Sequence, residues 1–285
     1  MADPGPALST WTASDGYPIH VATWPTPGPT RGRVVILHGV QSHGGWYHRL
    51  GRTLAEAGYE AHFPDRRGSG SNRKDRGHAP SSRRLIDDVT EYVASIRSGS
   101  PPLPTTLAGI SWGGKIAVIA AARRPDLIDA LALICPGLQP RVGVTSRERR
   151  AIAWAYFTNR RKTFPIPLSD PALFTDNHEA QTFIANDPLG LRAGTAGLLA
   201  ASAFLDRGVR RSLRRVRQPS LLILAGHDRI VDNDKTRADF ARIPSAEKQI
   251  IEYPEGHHTL EFDPDPSAYA HALIAWLQAS SPARP

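Results

Sequence analysis

The chain of 285 residues holds one cysteine, Cys135, so it can form no internal disulfide and no thiolate metal cluster. No stretch approaches the ~20 apolar residues that a membrane-spanning helix requires. Met1–Ser9 lacks the basic start and apolar centre of a secretory signal, and a cytoplasmic protein is expected. Lysine is scarce: Lys74, Lys115, Lys162, Lys235 and Lys248 are the only ones among 35 basic residues, so arginine carries the formal charge of +8. Those arginines are scattered. They come without zinc-finger spacing, an aromatic RNP-type motif or basic-region heptads, and nucleic acid is not an expected partner. Attraction to an anionic surface remains physically allowed. There is no internal repeat or low-complexity tract, and only the proline-containing termini are expected to be disordered.

What is present alternates between two periods. Residues 9–24 read as an antiparallel hairpin around Asp15-Gly16, with Ile19, Val21 and Trp24 on its second strand. Residues 33–37, 60–63, 104–108, 130–134, 221–225 and 248–253 read as further strands. Several are continuous apolar runs suited to burial on both faces. Helical spacing separates them, notably Leu85, Ile86, Val89, Val93 and Ile96 within Ser82–Arg97. Strands alternating with helices imply an α/β fold with a mostly parallel sheet and right-handed crossovers. Residues 136–217 break the rhythm with no convincing buried strand, and a connection of that length is too long for a crossover. The chain is therefore divided into a core at 1–136, an inserted helical cap at 137–217, and the rest of the core at 218–285. Trp154, Phe157, Phe164, Phe183, Leu199 and Phe204 are expected to roof an apolar acyl pocket.

Gly109-Ile110-Ser111-Trp112-Gly113 fits the G-x-S-x-G nucleophile elbow, between a short extended segment and an Ala-rich helix closed by Pro125. The glycines relieve crowding around a serine held on a strained turn. A serine hydroxyl is a weak nucleophile until a base, oriented by a carboxylate, takes its proton. Asp228 follows the apolar strand 221–225 and is the candidate acid, whereas Asp232 and Asp234 look like helix-capping residues. Two adjacent histidines, His257 and His258, compete for the base. The developing oxyanion needs N–H donors, and these are expected from Trp112, next to the serine, and from Val40 in the loop after the first parallel strand. His38 reads as a hydrogen-bonded support beneath that loop. The histidines at 38, 43 and 48 lack the pairing and the acid of a zinc helix, so no metal is expected. Gly68-Ser69-Gly70 is no dinucleotide fingerprint and reads as a flexible loop.

Beyond the elbow, Leu37-His38-Gly39, Asp65 to Gly70 with Arg76-Gly77-His78, Asp187-Pro188-Leu189, Gly226-His227-Asp228, and Tyr253-Pro254 ahead of His258 span most of the chain. With them the sequence resembles the serine hydrolases of the α/β-hydrolase superfamily, and within these the monoacylglycerol lipase and lysophospholipase group. The resemblance implies an α/β-hydrolase fold with eight strands, a cap, and cofactor-free cleavage of carboxylic esters. It favours His258 as base, since in this group the base follows the Tyr-Pro pair by a few residues. Trp112 stands where that group often carries methionine, and Val40-Gln41-Ser42-His43 departs from its commonest oxyanion loop. The expected partner is a small-molecule or lipid ester, with transient membrane-surface contact through the cap. Acyl transfer, a short-chain carboxylesterase, or a non-catalytic receptor on the same scaffold are the alternatives.

Overall fold

The computed structural model describes residues 5–99 and 102–280. Eight strands form one sheet in the order β1 (Ala7–Thr12), β2 (Pro18–Trp24), β4 (Tyr59–Pro64), β3 (Gly32–Leu37), β5 (Thr105–Ile110), β6 (Ala130–Ile134), β9 (Ser220–Ala225) and β10 (Lys248–Tyr253). β1 and β2 form the expected antiparallel hairpin, and β2 also runs antiparallel to β4. From β4 to β10 every pairing is parallel. β3, β5 and β9 are buried at every residue, which is why 34–37 and 221–225 read as unbroken apolar runs rather than alternating ones. The extreme termini expected to be disordered, residues 1–4 and 281–285, lie outside the described residues.

Five helices flank the sheet: α1 (His48–Glu56), α2 (Ser82–Arg97), α3 (Gly113–Arg123), α7 (Asn233–Ala241) and α8 (Ala268–Ser280). α2 starts where Ser81 accepts the Arg84 N–H, and it buries Leu85, Ile86, Val89 and Val93, the stripe legible in its sequence. Burying each such side chain contributes at most roughly 1.5–3 kcal/mol. Asp232 caps α7 by accepting the Lys235 N–H, so its capping role holds.

Residues 135–219 join β6 to β9 through α4 (Ser146–Thr158), β7 (Thr163–Pro165), α5 (His178–Asn186), β8 (Ala193–Thr195) and α6 (Ala196–Ser212). Beside the helices expected here, β7 and β8 pair as a two-stranded antiparallel ribbon. Three residues a side leave no period to detect in the sequence. Backbone bonds tie the segment to the core along its length, among them Gly137 N–H to Ser111 C=O, Arg141 N–H to Ile230 C=O, Leu191 N–H to Gln41 C=O, Thr195 N–H to Gly77 C=O, and Thr259 N–H to Phe174 C=O. Of the side chains expected to roof a pocket, Phe164 and Leu199 pack against Ile152, Ala155 and Ala196, and the other four are exposed. Trp154 is 72% exposed, Phe157 83%, Phe204 47% and Phe183 44%. α4 turns only Ile152 and Ala155 fully inward, because its amphipathic stripe is too narrow to bury its aromatic residues as well.

The parallel register aligns the carboxyl ends of the central strands. Leu37 lies opposite Gly109, Ile110 opposite Ile134, Ile134 opposite Ile223, and Ala225 opposite Tyr253. The next residues on each chain segment therefore emerge at one edge, where open α/β sheets place their ligands.

Candidate active site

Among the described residues, Ser111 is one of three other than glycine at positive φ, with φ 50°. Its N–H donates to Ile134 C=O at 3.0 Å, and its own carbonyl accepts from Gly114 and Gly137. The flanking glycines are required by close approach: a Cβ on Gly113 would sit 2.3 Å from the Leu37 carbonyl oxygen, and one on Gly109 would sit 2.6 Å from the Gly114 Cα. The turn thus holds the serine in a conformation that costs about 1–3 kcal/mol and throws its side chain off the end of β5.

His258 Nε2 is 2.9 Å from Ser111 Oγ, and its Nδ1 is 2.8 Å from Asp228 Oδ2. The other Asp228 oxygen accepts the Ile230 and Val231 N–H groups, both at 2.8 Å. Both oxygens of this buried carboxylate are therefore engaged, and the imidazole is fixed between acid and serine. His257 turns the other way, with Nδ1 3.2 Å from Asp263 and Nε2 2.9 Å from Asp176. The residues alone leave the two histidines in competition, and the resemblance favours His258. The chain direction at the end of β10 brings only His258 within reach of both Ser111 and Asp228.

The loop after β3 passes in front of the serine, close enough that a Cβ on Gly39 would be 3.3 Å from the Ser111 Cβ. Among the described residues, no acceptor is hydrogen-bonded to the backbone N–H of Val40 or of Trp112. His38 lies buried beneath the loop. Its Nε2 accepts the Arg66 N–H at 2.8 Å, which leaves Nδ1–H to donate to Gly39 C=O at 2.7 Å. That carbonyl belongs to the same peptide as the Val40 N–H, so His38 sets the direction in which the N–H points. Burial pushes the His38 imidazole down to about 4, so it is neutral near pH 7. Ser42 Oγ accepts the Gly39 N–H and contacts the Tyr47 hydroxyl, closing the loop from behind.

The Asp65 to Gly70 loop is pinned, not free. Gly44 and Ser71 N–H donate to the Asp65 carboxylate, Gly68 N–H donates to the Tyr17 hydroxyl, and Asn72 Nδ2 donates to Asp65 C=O. Gly68 and Gly70 have φ 71° and 55°, with neighbouring atoms too close for any side chain. The glycines that suggested flexibility serve a tight turn instead.

Asp187, between α5 and β8, reaches the loop that follows β3, accepting from Trp46 Nε1 at 2.8 Å and facing His43 Nε2 at 3.1 Å. Above Ser111 a cavity of about 10 Å³ is lined by Val40, Ser42, Leu168, Phe174 and His258 among others. That is room for roughly one water. Leu168 and Phe174 carried no sequence signal, since they lie in irregular chain between β7 and α5. No group of three or more His, Cys, Asp or Glu side chains among the described residues could hold a metal, and no described helix is long and apolar enough to cross a membrane.

The family model described as serine aminopeptidase, S33 (Hydrolase_4) matches residues 28–265. The monoglyceride lipase of Homo sapiens is 26% identical over 271 residues, covering 93% of this chain and 88% of that protein. The monoacylglycerol lipase of Mycolicibacterium smegmatis is 24% identical over 263 residues, covering 92% and 93%. Among solved structures, the monoacylglycerol lipase of Paleococcus ferrophilus superposes with a TM-score of 0.83 at 24% identity, over 92% of this chain and 99% of that one. A sheet with this order and register, a serine elbow at its carboxyl edge and a family match over most of the sequence have one reading: the chain belongs to the Hydrolase_4 (serine aminopeptidase, S33) family of α/β-hydrolases.

Proposed function

We propose that this protein hydrolyses carboxylic esters through Ser111, His258 and Asp228. The single observation that carries the reading is the unbroken hydrogen-bonded line from Asp228 through His258 to Ser111 Oγ. His258 Nε2 takes the hydroxyl proton as Ser111 Oγ forms a bond to the acyl carbon. The imidazolium, held by Asp228, then returns the proton to the leaving alcohol. Water, activated by the same imidazole, releases the carboxylic acid and restores the serine. The Val40 and Trp112 N–H groups stabilise the oxyanion in both halves, a contribution of about 2.7–4 kcal/mol for one such donor in a comparable site. No cofactor enters the scheme. The similarity to monoglyceride lipases favours acylglycerol or related lipid esters as substrate. Residues 137–217 form the cap in this reading, and because the cavity over Ser111 is so small, Leu168 and Phe174 withdraw when an acyl chain enters.

The charge distribution supports transient contact of the cap with an anionic lipid surface. Residues 141–217 hold 14 of the chain's 35 Lys and Arg but only 6 of its 27 Asp and Glu, so this segment carries the whole +8 and the remainder is balanced. The same segment displays Trp154, Phe157 and Phe204, with Arg160 stacked over Tyr156 and Arg207 near Phe204. Exposed aromatic rings beside arginine suit a negatively charged interface.

Labelling by a fluorophosphonate probe tests the central claim. Stoichiometric modification of Ser111, with release of acid from monoacylglycerol, is the expected result. Folded protein that is neither labelled nor active would point to a receptor on the same scaffold.

A further inference from the structure

Arg66 is held in an unusual way. Its backbone is locked: the N–H donates to His38, and the carbonyl accepts from Ser69 N–H, Ser69 Oγ and Asn72 Nδ2. From this base the side chain reaches inward. Nη2 donates to the Val40 carbonyl at 2.7 Å, and Cζ lies 4.9 Å from the centroid of the Trp112 ring. Nε and Nη1 are buried with no hydrogen-bond partner among the described residues. The far edge of the same indole is fixed by its own Nε1–H, which donates to Ser202 Oγ of α6 at 2.8 Å.

We propose that Arg66 is a positioning residue that orients both oxyanion donors at once, the Val40 N–H through the neighbouring peptide and the Trp112 N–H through its ring. This rests on the hydrolase reading given above. Val40 lies between two peptides, and each is held by residue 66. His38, fixed by the Arg66 N–H, holds the Gly39–Val40 peptide, and the guanidinium holds the Val40–Gln41 peptide. The guanidinium also covers the face of the residue that follows the nucleophile. A cation whose Nε and Nη1 are buried without partners is a poor stabilising device, because desolvation of their three N–H groups is left uncompensated. Its position instead places fixed positive charge and a rigid fork behind the pair of N–H groups that meet the oxyanion. Stabilisation of this kind acts where negative charge develops and costs no reorganisation during reaction. It should therefore appear in kcat and not in ground-state binding.

The test compares Arg66→Met and Arg66→Lys with the wild type on a p-nitrophenyl ester, and measures inhibition by an alkylboronic acid, whose serine adduct mimics the tetrahedral intermediate. Arg66→Met should lower kcat by about ten- to a hundredfold with KM changed less than threefold, and weaken the boronic acid in parallel. Arg66→Lys, which keeps the charge but loses the fork, should fall between the two. If Arg66→Met does not fold, Arg66→Lys decides the question by the same ratio. A kcat within threefold of wild type, or a loss confined to KM or to melting temperature with boronic-acid affinity unchanged, overturns the proposal. Wild-type protein that neither turns over the ester nor reacts with a fluorophosphonate would instead overturn the hydrolase reading, so the two failures are told apart.

Discussion

Asp187, in the segment between β6 and β9, accepts a hydrogen bond from the Trp46 indole at 2.8 Å and faces His43 Nε2 at 3.1 Å, tying that segment to the loop in front of Ser111. Burial alone would raise its carboxyl, but bonds from His43, Trp46 and the Leu189 N–H outweigh this and bring it from 3.8 down to about 2. A depressed acid contributes stability that is complete above the unfolded value and disappears as pH falls through the folded one. Asp187→Asn should therefore be less stable than wild type at pH 6, with the gap narrowing as pH drops from about 4 to about 2. Urea melts at a series of pH values check this, and a gap independent of pH would show that the carboxylate charge is not what holds the segment.

Ser111 separates strain from chemistry. Ser111→Ala should retain the fold while lowering kcat by roughly four to six orders of magnitude, since triad members act as a unit. Ser111→Gly should be equally inactive yet more stable than Ser111→Ala by about 1 kcal/mol, because glycine accepts the positive φ without strain. Ester hydrolysis above about a tenth of wild type in either variant would remove Ser111 from the nucleophile role.

The paired histidines should behave unequally. His258→Ala is expected to approach Ser111→Ala in activity, whereas His257→Ala should stay within about tenfold of wild type, because it loses contacts to Asp176, Asp263 and the His227 ring and none to Ser111 or Asp228. Purified variants assayed on one soluble ester settle the ranking, and the opposite order would move the base to His257.

The exposed aromatic face predicts a split between soluble and interfacial substrate. The double substitution Trp154→Ala and Phe157→Ala should leave kcat/KM for p-nitrophenyl acetate within about twofold. It should also reduce cosedimentation with phosphatidylglycerol vesicles severalfold, while neutral phosphatidylcholine vesicles bind weakly throughout. Equal binding of wild type and the double variant to anionic vesicles would assign those rings another role.

In the proposed reading, acyl preference follows from what closes the site. Leu168→Ala and Phe174→Ala each enlarge the cavity over Ser111, so each should raise kcat/KM for long p-nitrophenyl esters relative to acetate. Every methylene that becomes buried contributes about 0.8 kcal/mol, or close to fourfold. A chain-length profile unchanged in both variants would place the acyl pocket elsewhere.

Local rules settled much of this protein. Unbroken apolar runs fixed which strands lie buried on both faces, helical spacing set α2 to the residue, and the glycines beside Ser111 announced a turn that tolerates no side chain. The order serine, acid, histidine at successive strand ends was equally local, since each motif sits within a few residues of its own strand. The choice between His257 and His258 was not. It depends on how the chain leaves β10 relative to β5 and β9, a relation that the parallel register creates and no spacing within the last strand contains. The same holds for the aromatic residues of 137–217. Their number implied a pocket, but whether a ring on α4 faces core or solvent depends on which side of that helix meets α6. Leu168 and Phe174 carry no periodic or motif signal, and Arg66 lies in the Asp65 to Gly70 motif without that motif giving it a role. They become meaningful only when residues far apart in sequence close around Ser111, because contacts, unlike propensities, belong to the packed chain.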